Sequence, residues 1–266
     1  MTDSHYVIRG GEAGRERLRM LARIMAPTTR ALLARAGVGA GMTCLDVGCG
    51  GGDVSVELAR LVGPRGRVIG IDMDATKIDL ARREAAALGL ANVEFRVATI
   101  AQPGVTGGID VAYARFVLTH LPDPQAVLAQ LRGVLRPGGR MVVEDIDFTG
   151  HFAHPDAPAF RRYVYLYTQV VQRRGADPNI GLRLPGLLLA AGYGGVGVQV
   201  VQPAGLTGEV KELSPLTLES IVDALVDEGL ATADEVAATV RDLYAFARDP
   251  GTLMSLPRIV QAWGVV

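Results

Sequence analysis

The chain has 266 residues, 49% of them hydrophobic, with 27 basic against 28 acidic residues and a net charge of -1. That length holds one α/β domain with additions or two small domains, and the hydrophobic share supports a full core. The even charge balance supplies no overall basic field for a nucleic-acid backbone, so no nucleic-acid partner is expected. Two cysteines, Cys44 and Cys49, are too few for a disulfide scaffold or a four-ligand zinc site and read as small buried residues. The first residues do not form a signal-like leader and no apolar run has bilayer length, so the expectation is a cytoplasmic protein with no membrane partner.

In chain order, residues 1–14 read as an arm. Arg15 to Leu33 then repeats apolar residues at helical spacing (Leu18, Leu21, Ala22, Met25), and Pro27 predicts a division into two short helices. The stretch Thr43 to Ser55 reads as strand, glycine-rich turn and helix. Gly48, Gly50 and Gly52 let backbone approach a ligand where a Cβ would clash. A dinucleotide fingerprint wants a third glycine where Asp53 stands, and no Gly-Lys-Ser/Thr follows for a P-loop. Asp53 repels pyrophosphate but tolerates a cationic ligand without phosphates. The next strand, Arg67 to Asp72, ends in an acid at the spacing of roughly 20 residues that suits a grip on ribose hydroxyls.

Further strands are predicted near 93–97, 109–113 and 139–146, with helices near 53–62, 75–88, 123–135 and 181–191. Gly63-Pro64 stops the first core helix, and Asp123-Pro124 starts another. Such alternation predicts a doubly wound α/β sheet whose strand-exit loops share one edge, where ligands bind. Beyond Gly150 the pattern loosens into a helical cover over 151–180, a strand over Gly195 to Val201, helices over Thr217–Glu228 and Ala233–Arg248, and a last strand within Leu253–Val265.

Three motifs, Leu45 to Gly52, Gly70 to Asp74 and Leu135 to Arg140, resemble those of the class I S-adenosylmethionine-dependent methyltransferases over about residues 40–150. The resemblance implies a seven-stranded, mostly parallel, Rossmann-like sheet whose last two strands pair antiparallel at one edge, with helical lid insertions. It divides the chain into an N-terminal helical arm (1–37), a cofactor-binding core (38–150), a lid insertion (151–180), a core continuation (181–203), a second lid insertion (204–250) and a final core strand (251–266). S-adenosyl-L-methionine is the implied cofactor. Tyr6 of the arm, Asp46, Gly48, Gly50 and Asp53 of the turn, Asp72 for the ribose, Met73 for the adenine face, and Ala98, Thr99 and Arg115 on later strands are the implied cofactor contacts. Many relatives carry an acid near Ala98 or Thr99, and here there is none. Arg115 holds the methionine carboxylate or a substrate oxygen, or forms a structural ion pair.

For the chemistry, His120, Glu144 and Asp145 are the candidate proton acceptors. His120 is alternatively a loop-holding hydrogen bonder. Glu144, Asp145 and Asp147 alternatively cap the sheet edge and pair with Arg161 or Arg162, and no metal site is expected from them. Phe148, Phe152, Tyr163 and Tyr167 suggest a partly aromatic or apolar small-molecule acceptor, or the core of a helical lid. The reading is methyl transfer to such an acceptor, foremost at oxygen, by a monomer or homodimer. Its rival is a cofactor-binding protein of the same fold that transfers no methyl.

Overall fold

The computed structural model describes residues 11–266. The elements run α1 (Gly11–Arg35), β1 (Thr43–Val47), α2 (Asp53–Val62), β2 (Arg67–Asp72), α3 (Ala75–Ala87), β3 (Val93–Val97), β4 (Ile109–Arg115), α4 (Pro124–Arg132) and β5 (Leu135–Asp147). There follow β6 (Ala153–His154), α5 (Pro158–Arg173), α6 (Leu184–Ala190), β7 (Gly194–Val201), β8 (Ala204–Gly205), α7 (Glu209–Ser220), α8 (Val222–Asp227), α9 (Ala233–Arg248), β9 (Leu253–Ser255) and β10 (Arg258–Val265). Short 3-10 turns cover Leu118–His120, Phe148–Gly150 and Ile180–Arg183. The described residues form two compact units, a sheet unit of Ala26–Asp145, Gly181–Gln199 and Val260–Val266, and a helical unit of residues 11–25, Ile146–Ile180 and Val200–Ile259.

The seven strands of the main sheet lie in the order β3-β2-β1-β4-β5-β10-β7. The pairs from β3 through β5 are parallel, with Val47 opposite Ile71 on one side and Ala114 on the other. Their strands are short and almost wholly buried, as a parallel sheet covered on both faces requires. β10 runs the other way. Val266 exchanges backbone hydrogen bonds with Gly138 and Gly139 at the start of β5, whereas Gln261 reaches Glu144 near its end. The order reverses between β1 and β4, which makes their carboxyl ends the switch point of the sheet.

Local chemistry explains the helices of this unit. α2 buries Val54, Leu58, Ala59 and Val62 against Leu33, Cys44, Val68 and Val111, and Gly63 ends it at φ 65. Asp74 caps α3 by accepting the N–H groups of Thr76 and Lys77, and Asp123 caps α4 through Ala126.

Three expectations differ from the structure. Pro27 does not divide α1, because Met25, Leu32 and Leu33 are fully buried on either side and their packing outweighs the one hydrogen bond lost. The helix expected over Thr217–Glu228 is two helices, α7 and α8, broken at Ile221. α7 starts at Glu209, where Gly208 and the acids Glu209 and Glu212 mark a helix start, and Pro215 lies inside it. The last strand is also two, separated by Leu256-Pro257, and β9 pairs antiparallel with β6 and β8 in a small sheet of the helical unit.

The turn after β1 makes the tightest steric demand. A Cβ on Gly52 (φ 86) would lie 2.8 Å from Phe95 and 3.0 Å from Ala81, whereas one on Gly50 (φ 55) meets nothing within 4 Å. Gly52→Ala is therefore expected to cost about 2–4 kcal/mol, through overpacking and left-handed strain. Gly50→Ala is expected to cost about 1–2 kcal/mol, from strain alone. Urea denaturation of the two variants measures both.

Candidate functional site

The glycine turn and the end of β2 form one rim. The Cys49 N–H donates to the Ile71 carbonyl, continuing the β1–β2 ladder into the turn. The Gly50 N–H donates to Asp72 Oδ2 at 2.9 Å, and the Asp74 N–H donates to Asp72 Oδ1 at 2.9 Å. The Ala98 N–H donates to the Asp72 carbonyl, so the end of β3 joins the same rim. Met73 stands 59% exposed beside it. Thr99 is exposed, with its hydroxyl oxygen accepting from the Gln102 N–H.

Asp46 is buried beneath the turn and accepts the Ser55 hydroxyl at 2.6 Å. Burial pushes its pKa up to about 6. Ser55 and Arg115 act against the rise, while the charges of Asp72 and Asp53 add to it. Arg115, Asp72 and Asp53 thus all lie within electrostatic reach of Asp46. A Cβ on Gly48 would lie 2.6 Å from a methyl of Val117, so protein packing also requires a glycine there. Gly50 is the glycine that faces open space. Tyr6 lies outside the described residues.

β4 leaves the sheet through an unusual residue. Phe116 has φ 55, the one non-glycine residue with positive φ among those described, and its N–H donates to the Glu144 carbonyl at 2.8 Å. Strained backbone of this kind gathers at functional sites. The 3-10 turn Leu118–His120 follows and carries half-buried His120. Asp145 is fully buried and accepts the Thr119 N–H at 3.1 Å, which ties this turn to β5.

Glu144 is withdrawn from the role of accessible base. It is fully buried; Oε1 accepts Thr29 Oγ1 at 2.8 Å and the Tyr113 hydroxyl, and Oε2 accepts the Gln261 side-chain amide. Thr29 also lies 3.4 Å from an Arg115 nitrogen. The partners expected for the β5 acids are corrected too. Asp147 pairs with Arg258, not with Arg161 or Arg162, and Arg161 pairs with Asp156. No cluster of three or more histidines, cysteines or acids able to hold a metal occurs among the described residues. No helix among them is long and apolar enough to cross a membrane.

The helical unit absorbs most of the aromatic cover. Phe148 stacks on Tyr167 with ring centres 4.1 Å apart, and His151 sits edge-on to Phe148, Phe160 and Tyr163. Phe148, Tyr163 and Tyr167 are core residues there, whereas exposed Phe152 lines a cleft of about 450 Å³ with Phe160, Val164 and Tyr165. His151 Nε2 lies 2.8 Å from the Ser255 carbonyl, which can only accept, so Nε2 carries the proton. Desolvation pushes this histidine down to about 3, the Ser255 contact opposing it.

The strand order β3-β2-β1-β4-β5-β10-β7, with β10 running against β5, is the seven-stranded sheet that the resemblance to class I S-adenosylmethionine-dependent methyltransferases implies. A family model described as a methyltransferase domain matches residues 39–165. A demethylmenaquinone methyltransferase of Lactococcus lactis is 33% identical over 128 residues, covering 48% of this chain and 48% of that protein. The nocamycin O-methyltransferase of Saccharothrix syringae is 39% identical over 116 residues, covering 43% of this chain and 41% of its own. The crystal structure of the [4+2]-cyclase SpnF superposes with a TM-score of 0.53 at 20% identity, covering 90% of this chain and 80% of that one. The chain spans less than half the length of these two curated relatives.

Glu144→Ala would leave three buried donors without an acceptor. It is expected to cost about 2–5 kcal/mol in urea denaturation; unchanged stability with lost turnover would return Glu144 to a chemical role. NMR titration should find the His151 ring neutral down to about pH 3. Because the unfolded chain takes up that proton near 6.5, His151 makes stability fall as pH drops from about 6.5 toward 3. A His151→Phe variant should lose this part of the pH dependence.

Proposed function

We propose that the protein transfers a methyl group from S-adenosylmethionine to a small-molecule acceptor at the rim formed by the ends of β1, β2 and β4. The observation that carries this reading is the acid-lined turn: Asp72 accepts the N–H of Gly50, which has open space before it, and Asp53 and Asp72 lie within electrostatic reach of Asp46. Such a rim attracts a sulfonium and an ammonium group and disfavours a pyrophosphate. The residues present fit the cofactor. Each Asp72 oxygen accepts one backbone N–H and keeps a lone pair for a ribose hydroxyl. Exposed Met73 offers its soft side chain to the adenine face, and Ala98 and Thr99 frame the base without the acid many relatives have.

When bound, S-adenosylmethionine supplies an electrophilic methyl carbon on a positively charged sulfur. The chain's own task is to hold the acceptor in line with it, and alignment alone can account for much of the acceleration. Arg115 takes the methionine carboxylate, and Asp46 steadies the turn from below. For an oxygen acceptor, His120 takes the proton, held by the turn that Asp145 pins through Thr119. Asp145 is then a positioning residue. A neutral amine or a stabilised carbanion needs no such help.

One observation favours the rival reading, binding of the cofactor without transfer. Glu144 and Asp145 are both fully buried, which leaves His120 as the one accessible base proposed from the sequence. Incubation with methyl-labelled S-adenosylmethionine and a panel of phenols, hydroxy acids and amines, read by mass spectrometry, separates the two. A product heavier by one labelled methyl supports transfer. Tight binding of S-adenosylhomocysteine with no methylated product supports the rival.

Asp72→Ala is expected to weaken S-adenosylhomocysteine binding by about 1–3 kcal/mol in calorimetry through lost hydrogen bonds to ribose. Unchanged affinity in a folded variant would remove the sugar from this place.

A further inference from the structure

Arg17, on the part of α1 in the helical unit, is only 7% exposed, and its Nε has no hydrogen-bond partner. The guanidinium makes no hydrogen bond or ion pair with any described residue. Acids are available in this unit, yet they serve other cations: Glu209 holds Arg23, Asp156 holds Arg161, and Asp147 holds Arg258. An arginine cannot escape burial by losing its proton, so a buried guanidinium without a counter-charge is costly.

What surrounds it is suited to an anion. Arg17 acts electrostatically on the Tyr163 hydroxyl, to which Ser214 and Thr217 hydrogen-bond. Tyr163, Ser214 and Thr217 are all buried, on α5 and α7 of the same unit. Thr217 gives its own proton to the Leu213 carbonyl, and a fixed positive charge within electrostatic reach of the Tyr163 and Ser214 hydroxyls is a binding set for an oxyanion. The adjoining rings of Tyr167 and Phe148 are apolar, so the body that carries the anion meets an aromatic wall.

We propose that Arg17, with the hydroxyls of Tyr163 and Ser214, forms an oxyanion subsite of the helical unit that holds the carboxylate or phosphate of a partly apolar small molecule. The subsite does not rest on the methyltransferase reading.

The test titrates the full chain with sodium benzoate and, separately, with inorganic phosphate. Sodium chloride keeps the ionic strength constant, and the readouts are calorimetry and thermal melting. Saturable binding of one anion is expected, with a melting temperature that rises with its concentration. Arg17→Gln should weaken that binding at least tenfold and Ser214→Ala severalfold, the second variant serving should the first fail to fold. Preference for benzoate assigns a carboxylate on an apolar body, and preference for phosphate a phosphoryl group. Absence of saturable binding for both anions, or binding that neither variant weakens, overturns the subsite. S-adenosylhomocysteine titrated in parallel keeps the two readings apart. Its binding without an anion response removes the subsite alone, whereas an anion response without its binding removes the cofactor reading and leaves the subsite standing.

Discussion

The Asp72 carboxylate organises the rim on which the proposed chemistry depends. One oxygen takes the Gly50 N–H and the other the Asp74 N–H, so a single side chain joins the turn after β1 to the start of α3. Asp74 then caps that helix through Thr76 and Lys77. Backbone donors that would otherwise lack partners at the strand exits are satisfied by acids. The same acids make the rim negative, so the stability of the turn and the proposed preference for a cationic, phosphate-free ligand have one cause.

Much of this was legible in the sequence because it is local. β1, β2 and β3 fall where their apolar runs place them, and the Gly-rich turn, Asp74 and Asp123 act within a few residues of themselves. What was not legible depends on partners far along the chain. Glu144 meets Tyr113 at 31 residues, Thr29 at 115 and Gln261 at 117, and no spacing rule announces such a set. Gly48 reads like a ligand glycine, and nothing in its spacing announces that a Cβ there would also meet Val117. Pro27 misled in the same way, and Pro215 also lies inside a helix. Each lies in a helix whose neighbours are buried deeply enough to offset a missing hydrogen bond.

Buried charge separates structural roles from open ones in the helical unit. The Lys211 ammonium is fully buried, but it donates to the carbonyls of Leu206, Asp249 and Thr252 and to the Thr252 hydroxyl at 2.7–3.0 Å. It closes the ends of two connections around α7 and α9, and its hydrogen-bonding capacity is used up. Desolvation lowers its pKa, the charge of Asp249 opposing this. Arg17 is nearly as buried and has no such cage among the described residues. The contrast is informative because both cations belong to one compact unit, where the protein demonstrably supplies oxygens to the first.

The strain at Phe116 has its place in the same logic. A left-handed non-glycine residue costs about 1–2 kcal/mol and persists only where its surroundings hold it. Here the Phe116 N–H is taken by Glu144 of β5, and the next residue, Val117, fills the space that Gly48 leaves. The exits of β1, β4 and β5 are therefore locked to one another before any ligand arrives. A ligand entering at Gly50 meets a rim already ordered, so little of its binding energy goes into arranging the loops. That rigidity suits a displacement whose rate depends on the alignment of two reacting atoms, since a rim free to move would lose in alignment what it gained in access.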